Sequence, residues 1–70
     1  MSKIAELNAR LWNELYPQGT RVRYWPLLGE GDGKASRTRS EAWVVCGSAV
    51  VMVDGYAGGI ALTHIEVEND

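Results

Sequence analysis

The hydrophobic period of this chain changes once, between Pro17 and Gly19, and that change orders the whole architecture: a helix first, strands afterwards. Ahead of it, apolar residues recur at Ile4, Leu7, Leu11 and Leu15. Spacings of three and four line a single face of a helix. Ala5 and Trp12 widen that stripe, Ser2 stands in the N-cap position, and Leu, Ala, Glu and Arg are good helix formers. Pro17 and Gly19 then stop the helix, so the pattern predicts helix over 2–15. A helix of that length is marginal alone, and its apolar face must be covered. It can cap the open end of its own fold. Alternatively its Ile4, Leu7, Leu11 and Trp12 can pack against a second copy, and a symmetric homodimer is the expected outcome because it covers the whole stripe.

Beyond Gly19 the period is two. Thr20 to Trp25 alternates, with Val22 and Tyr24 on one face and Arg21, Arg23 and Trp25 on the other. Pro26 ends this strand. Gly29, Gly31 and Gly33, interleaved with Glu30 and Asp32, predict a mobile polar loop. A longer strand is expected over 37–46. Gly47-Ser48 suits a type II′ hairpin turn, with Cys46 packed as a small hydrophobe at the strand end. Further strands are expected over 49–54, 60–62 and 65–67, with a tight turn at Thr63-His64. One helix followed by five short strands resembles the order of a small SH3-like barrel, here over 20–67 within a single domain of 70 residues. Val22, Ala42, Val44, Val51, Val53, Ile60, Leu62, Ile65 and Val67 would fill its interior. Closure would remove sheet edges that so short a chain could not otherwise protect.

Composition closes off several chemistries. A chain of 70 residues leaves no room for a large catalytic cleft. One Cys excludes an intrachain disulfide, and one His with one Cys cannot supply the four N/S ligands of a structural zinc site. No apolar run is long enough to span a bilayer, and the opening MSKIAELNARLW carries no export-signal stretch. A cytoplasmic, non-enzymatic protein with no cofactor, metal or membrane partner is the expectation.

Two motifs look chemical and fail on inspection. Gly29 to Lys34 lacks the Walker A glycine, where Leu28 stands, and the following Ser or Thr, where Ala35 stands. Its Rossmann spacing is one residue short. Cys46 and His64 have no third polar group at a spacing that would orient them, so a structural hydrogen bond is expected of His64.

The set with the strongest binding character is Arg21, Arg23, Trp25, Arg37, Arg39 and Trp43. Positions two apart share a strand face, so neighbouring strands would bring four guanidiniums and two indoles together. Arg and Trp are enriched in binding hot spots, and Arg grips carboxylate and phosphate bidentately. The plainer interpretation is a solvated sheet exterior, with Arg paired to Glu41 and stacked on Trp. Charge is segregated along the chain. Residues 20–46 hold five cations against three acids, whereas residues 47–70 hold Asp54, Glu66, Glu68 and Asp70 and no cation. An acidic tail and a net charge of −2 weigh against nucleic acid.

Three strings carry a closer resemblance: Tyr16-Pro17-x-Gly19-Thr20-x-Val22-x-Tyr24-Trp25, Arg37-Thr38-Arg39-Ser40-x-Ala42-Trp43, and Val50-Val51-x-Val53-x-Gly55-x-x-Gly58-Gly59-Ile60-x-Leu62-x-His64. Over residues 16–67 the chain resembles a family of short bacterial and prophage-borne proteins built as small SH3-like barrels. The resemblance implies a phage or mobile-element origin and a binding role. It supplies no catalytic residue, and the helix lies outside it. A module that binds or inhibits a host protein through the Arg/Trp face is therefore expected. A nucleic-acid-binding barrel and a protein sequestering a small anion such as a nucleotide are the alternatives.

Overall fold

A computed structural model describes residues 3–26 and 31–68. The Ser2 cap, the Gly29 and Glu30 part of the expected loop, and Asp70 lie outside the described residues. Within them the chain forms helix α1 (Lys3–Leu15) and six short strands. The strands are β1 (Arg21–Tyr24), β2 (Lys34–Arg37), β3 (Trp43–Val45), β4 (Ser48–Val51), β5 (Ile60–Ala61) and β6 (Ile65–Val67), with one 3-10 turn at Leu62–His64.

The strands make two three-stranded antiparallel sheets, ordered β2-β1-β6 and β3-β4-β5. The expected five-stranded barrel is thus replaced by six strands in two sheets that do not close on one another. The reason lies in the segment expected as one strand over 37–46. At Thr38 the chain changes sheets. The Thr38 amide donates to Thr20 O, continuing the β1 side, while Arg39 N donates to Met52 O and Asp54 N to Arg37 O. Thr38 and Val53 form an isolated bridge. Ser40 then turns the corner, its hydroxyl accepting from Met52 N at 3.0 Å and donating to Glu41 O at 2.9 Å. A strand that bends from one sheet into the next must break its ladder there.

Thr38 is buried and its hydroxyl serves the corner. It accepts from the amides of Gly19 and Thr20 at 3.1 and 3.2 Å. The β3–β4 hairpin turns one residue earlier than its glycine suggested. Val45 pairs with Ser48, so Cys46 and Gly47 are the loop, with φ of 49° and 79°. Two successive positive φ values belong to a type I′ turn, not II′. Cys46 is accordingly exposed at the hairpin tip instead of packed.

The core gathers Val22, Tyr24, Ala42, Ala49, Val51, Val53, Ile60 and Ile65, with Val44, Leu62 and Val67 half-buried against it. Every interior position expected from the strand pattern is in this set. Tyr24 meets Tyr56 edge-on at 5.8 Å. From the helix, Ala5 and Ala9 are the buried residues, and Trp12 packs beside them with the Tyr16 ring tilted against it at 4.7 Å. Asn13 fixes the helix to the second sheet as a substitute strand. Its carboxamide accepts from Ala42 N at 2.7 Å and donates to Ala42 O at 3.0 Å.

Candidate functional site

Two surfaces compete for a binding role. On the first sheet, register places Arg21 directly opposite Arg37, and Arg23 between Ala35 and Glu66. The structure therefore brings Arg21, Arg23 and Arg37 onto one outer face. Like charges directly opposed across a ladder are unfavourable unless acids intervene. The acidic tail supplies them. β6 lies beside β1, Glu68 N donates to Arg21 O, and the Glu68 carboxylate accepts from Arg23 Nε at 3.0 Å. The basic middle and acidic end of the sequence are thus two halves of one ladder, with Glu68 taking the place expected of Glu41.

Arg23 and Arg37 also donate to backbone carbonyls of their own chain. Arg23 Nη1 donates to the carbonyls of Asp32 and Gly33 at 3.1 and 3.4 Å. Arg37 Nη1 donates to Gly19 O at 3.1 Å. Arg39 lies past the corner and clamps the 53–56 turn, with Nε to Val53 O at 2.9 Å and Nη2 to Tyr56 O at 3.1 Å. An open hollow beside Arg21 and Arg37 is also lined by Asp54 and Glu68, so it presents both signs of charge.

Trp25 is likewise seated. Its Nε1 donates to Gly31 O at 3.2 Å, and a Cβ at Gly33 would lie 2.6 Å from Trp25 Cε2. Gly33 has φ of 77° and must be glycine for the backbone to pass this close to the indole. The backbone of Trp25 pairs with His64 in both directions. Trp25 N donates to His64 O at 2.9 Å, and His64 Nδ1 donates to Trp25 O at 3.0 Å. His64 thus has the structural hydrogen bond expected of it. Trp43 stands apart from all of these. It belongs to the second sheet, opposite Val50, and a Cβ at Gly59 would lie 3.5 Å from its ring. The six-residue Arg/Trp set is therefore dispersed. Three arginines share a face, Trp25 is tucked under a loop, and Arg39 and Trp43 serve other parts of the fold.

The second surface is the helix. Ile4, Leu7, Leu11 and Leu15 are 73, 45, 44 and 66% exposed. At 3.6 residues per turn Leu7, Leu11 and Leu15 lie about half a turn from the Ala5–Ala9 line that faces the sheets, and Ile4 about a quarter of a turn from it. The expected apolar face is real, but the helix docks by its small residues and Asn13, leaving its largest aliphatic side chains outside. Of the four residues expected in an interface, Ile4, Leu7 and Leu11 stay on the surface, and Trp12 packs against the chain's own core. The alanines at 5 and 9 and the asparagine at 13, spaced by four, were the legible sign of the docking side. The heavier residues outweighed them in a hydrophobicity reading.

Among the described residues no three His, Cys, Asp or Glu side chains are grouped to hold a metal ion. No helix there is long and apolar enough to cross a membrane. Comparison of the chain with protein-family models, with curated proteins and with solved structures gives no match.

Proposed function

We propose that this chain is a non-enzymatic protein-interaction module whose contact surface is the α1 ridge of Ile4, Leu7, Leu11 and Leu15. A single observation carries the reading: four large aliphatic side chains stand exposed in one continuous stripe on a 70-residue chain. Contiguous apolar patches of this kind on small proteins mark association sites. The Arg/Trp face has less support, because Arg23, Arg37, Arg39 and Trp25 all spend hydrogen bonds on the chain's own backbone. Nucleic-acid binding and capture of a small anion draw on that same face, where Glu66 and Glu68 interleave with the cations. The reading includes two of the expectations raised by resemblance. The two sheets, joined at the Thr38–Val53 bridge, are taken as an opened relative of an SH3-like barrel, and the host-directed role places a bacterial protein among the partners to be tested. A reducing, cytoplasmic setting suits the exposed thiol of Cys46.

A photo-crosslinking side chain tests this reading without touching the residues it names. It is placed at Asn8, beside the ridge, or at Ala35, on the outer face of the first sheet. Irradiation in bacterial cells should give discrete protein adducts from position 8. Adducts from position 35 alone, or from neither, would remove the ridge as the contact surface.

A further inference from the structure

We infer that the occupant of the α1 ridge is the same ridge on a second copy of this chain, laid antiparallel across a two-fold axis. The inference rests on the reading of the ridge as a contact surface, and it adds the partner and the orientation.

The spacing of the ridge carries the first part. A two-fold axis perpendicular to two antiparallel helices pairs positions whose numbers have a nearly constant sum. About residue 9, Ile4 falls opposite Leu15 of the partner and Leu7 opposite Leu11, then the same pairs recur in reverse. The ridge is complementary to its own reversed image over the whole helix, and self-complementarity is what a two-fold interface requires. The outer residues of the ridge, Ile4 and Leu15, are also the two most exposed.

Charge decides the orientation. By helical geometry Lys3, Arg10 and Glu14 lie along one flank of the ridge. In an antiparallel pair this flank meets the same flank of the partner, running the other way. Lys3 then falls opposite Glu14 of the second copy, twice by symmetry. Arg10, close to the axis, sits four residues from both Glu6 and Glu14 of its own helix, the spacing at which helical ion pairs form. In a parallel pair the two-fold axis runs along the helices and sets this flank against the opposite flank of the partner, which carries Asn8 and Trp12 and no charge, so the Lys3–Glu14 pairs would not form.

Docking of the helix leaves the ridge available for this role. Ala5, Ala9 and Asn13 hold α1 to its own sheets from a different side, so dimerisation requires no rearrangement of the monomer. A ridge of four aliphatic residues per copy is small for an interface, and the dimer is expected to be in exchange with monomer.

Sedimentation equilibrium of the whole chain, from about 5 µM to about 500 µM, reads the association directly. The average mass should rise from the 7.7 kDa of one chain toward twice that value. Leu7→Glu/Leu11→Glu, which sets glutamates against each other across the axis, should weaken association at least tenfold. Arg21→Glu/Arg37→Glu should leave it unchanged. Orientation is read with single cysteines in a Cys46→Asn background. Ile4→Cys mixed with Leu15→Cys should form the mixed disulfide faster than either variant pairs with itself. A mass that stays at 7.7 kDa over the range overturns the inference. If Asn8 still crosslinks to another protein in that case, the ridge remains a contact surface with a different occupant. Fast self-pairing of each cysteine variant would overturn the antiparallel arrangement.

Discussion

On the outer face of the first sheet, Arg23 reaches a carboxylate and two carbonyls, while on the helix the chemically simpler Leu7 and Leu11 remain half in water. Both surfaces are amphipathic and both are built by regular spacing. The sheet lies next to a chain segment of opposite charge, β6 with Glu66 and the following Glu68, and so Arg23 is paired from within. The helix lies next to sheets that accept only its small side, because Ala5 and Ala9 allow close approach and Asn13 meets the free strand groups of Ala42. Arg23, Arg37, Arg39 and Trp25 are thus engaged by the fold, while Trp43 on the second sheet stays 38% exposed and the aliphatic residues of the helix are left over. Side-chain chemistry alone does not mark a site; what matters is whether the chain provides the partner.

The contrast between the two surfaces is most exposed to test at the helix anchor. Asn13→Ala leaves the buried N–H and C=O of Ala42 without partners, which should cost about 2–4 kcal/mol in denaturant unfolding. A loss below about 0.5 kcal/mol would show that the helix is held by something other than its Asn13 side, within the range of a neutral surface change. Next in size is Gly33→Ala. The new methyl group would collide with the Trp25 ring at a positive φ, so a loss of about 1–3 kcal/mol and a red-shifted tryptophan emission are expected as the indole leaves its seat. An unchanged spectrum would mean that Trp25 is not held by this loop. The smallest effect has the opposite sign. Cys46→Asn places Asn-Gly in a type I′ turn and should stabilise the hairpin by about 0.5–1 kcal/mol, seen as a rise in Tm. A fall in Tm would contradict the turn assignment.

Much of this fold could be read from the sequence wherever one physical preference acted alone. The helix ends where Pro17 and Gly19 end it, and the alternation around Val22 and the apolar run over 49–53 identify the interior. The sheet change at Thr38 was not legible, because its cause is a set of backbone hydrogen bonds to Thr20 and Met52, residues distant in the chain, and nothing in Arg37-Thr38-Arg39 breaks the strand pattern. Cys46 in a left-handed conformation was hidden for a related reason. The glycine beside it offers the same turn one residue later, and only the register Val45–Ser48 chooses between them. For the candidate site, the alternation of Arg21, Arg23 and Arg37 correctly placed them on one face. That Arg23 is answered by Glu68 at the end of β6 depends on topology, which strand spacing does not encode. The apolar stripe of the helix was plain, but which side docks depended on the close approach that alanine permits.

Arginines of the candidate set work for the fold, and the helix ridge does not. The unfolding free energy of two double variants, measured at a concentration low enough that the chain is monomeric, separates these roles. Leu7→Glu/Leu11→Glu should stay within about 0.5 kcal/mol of the parent, since exposed helical sites tolerate glutamate. Arg23→Glu/Arg39→Glu should lose about 2 kcal/mol, because it removes the Glu68 pair and the contacts to Val53 and Tyr56 and sets a new carboxylate at position 23 against that of Glu68. The reverse ranking, with the helix variant markedly destabilised and the arginine variant as stable as the parent, would contradict this division of roles.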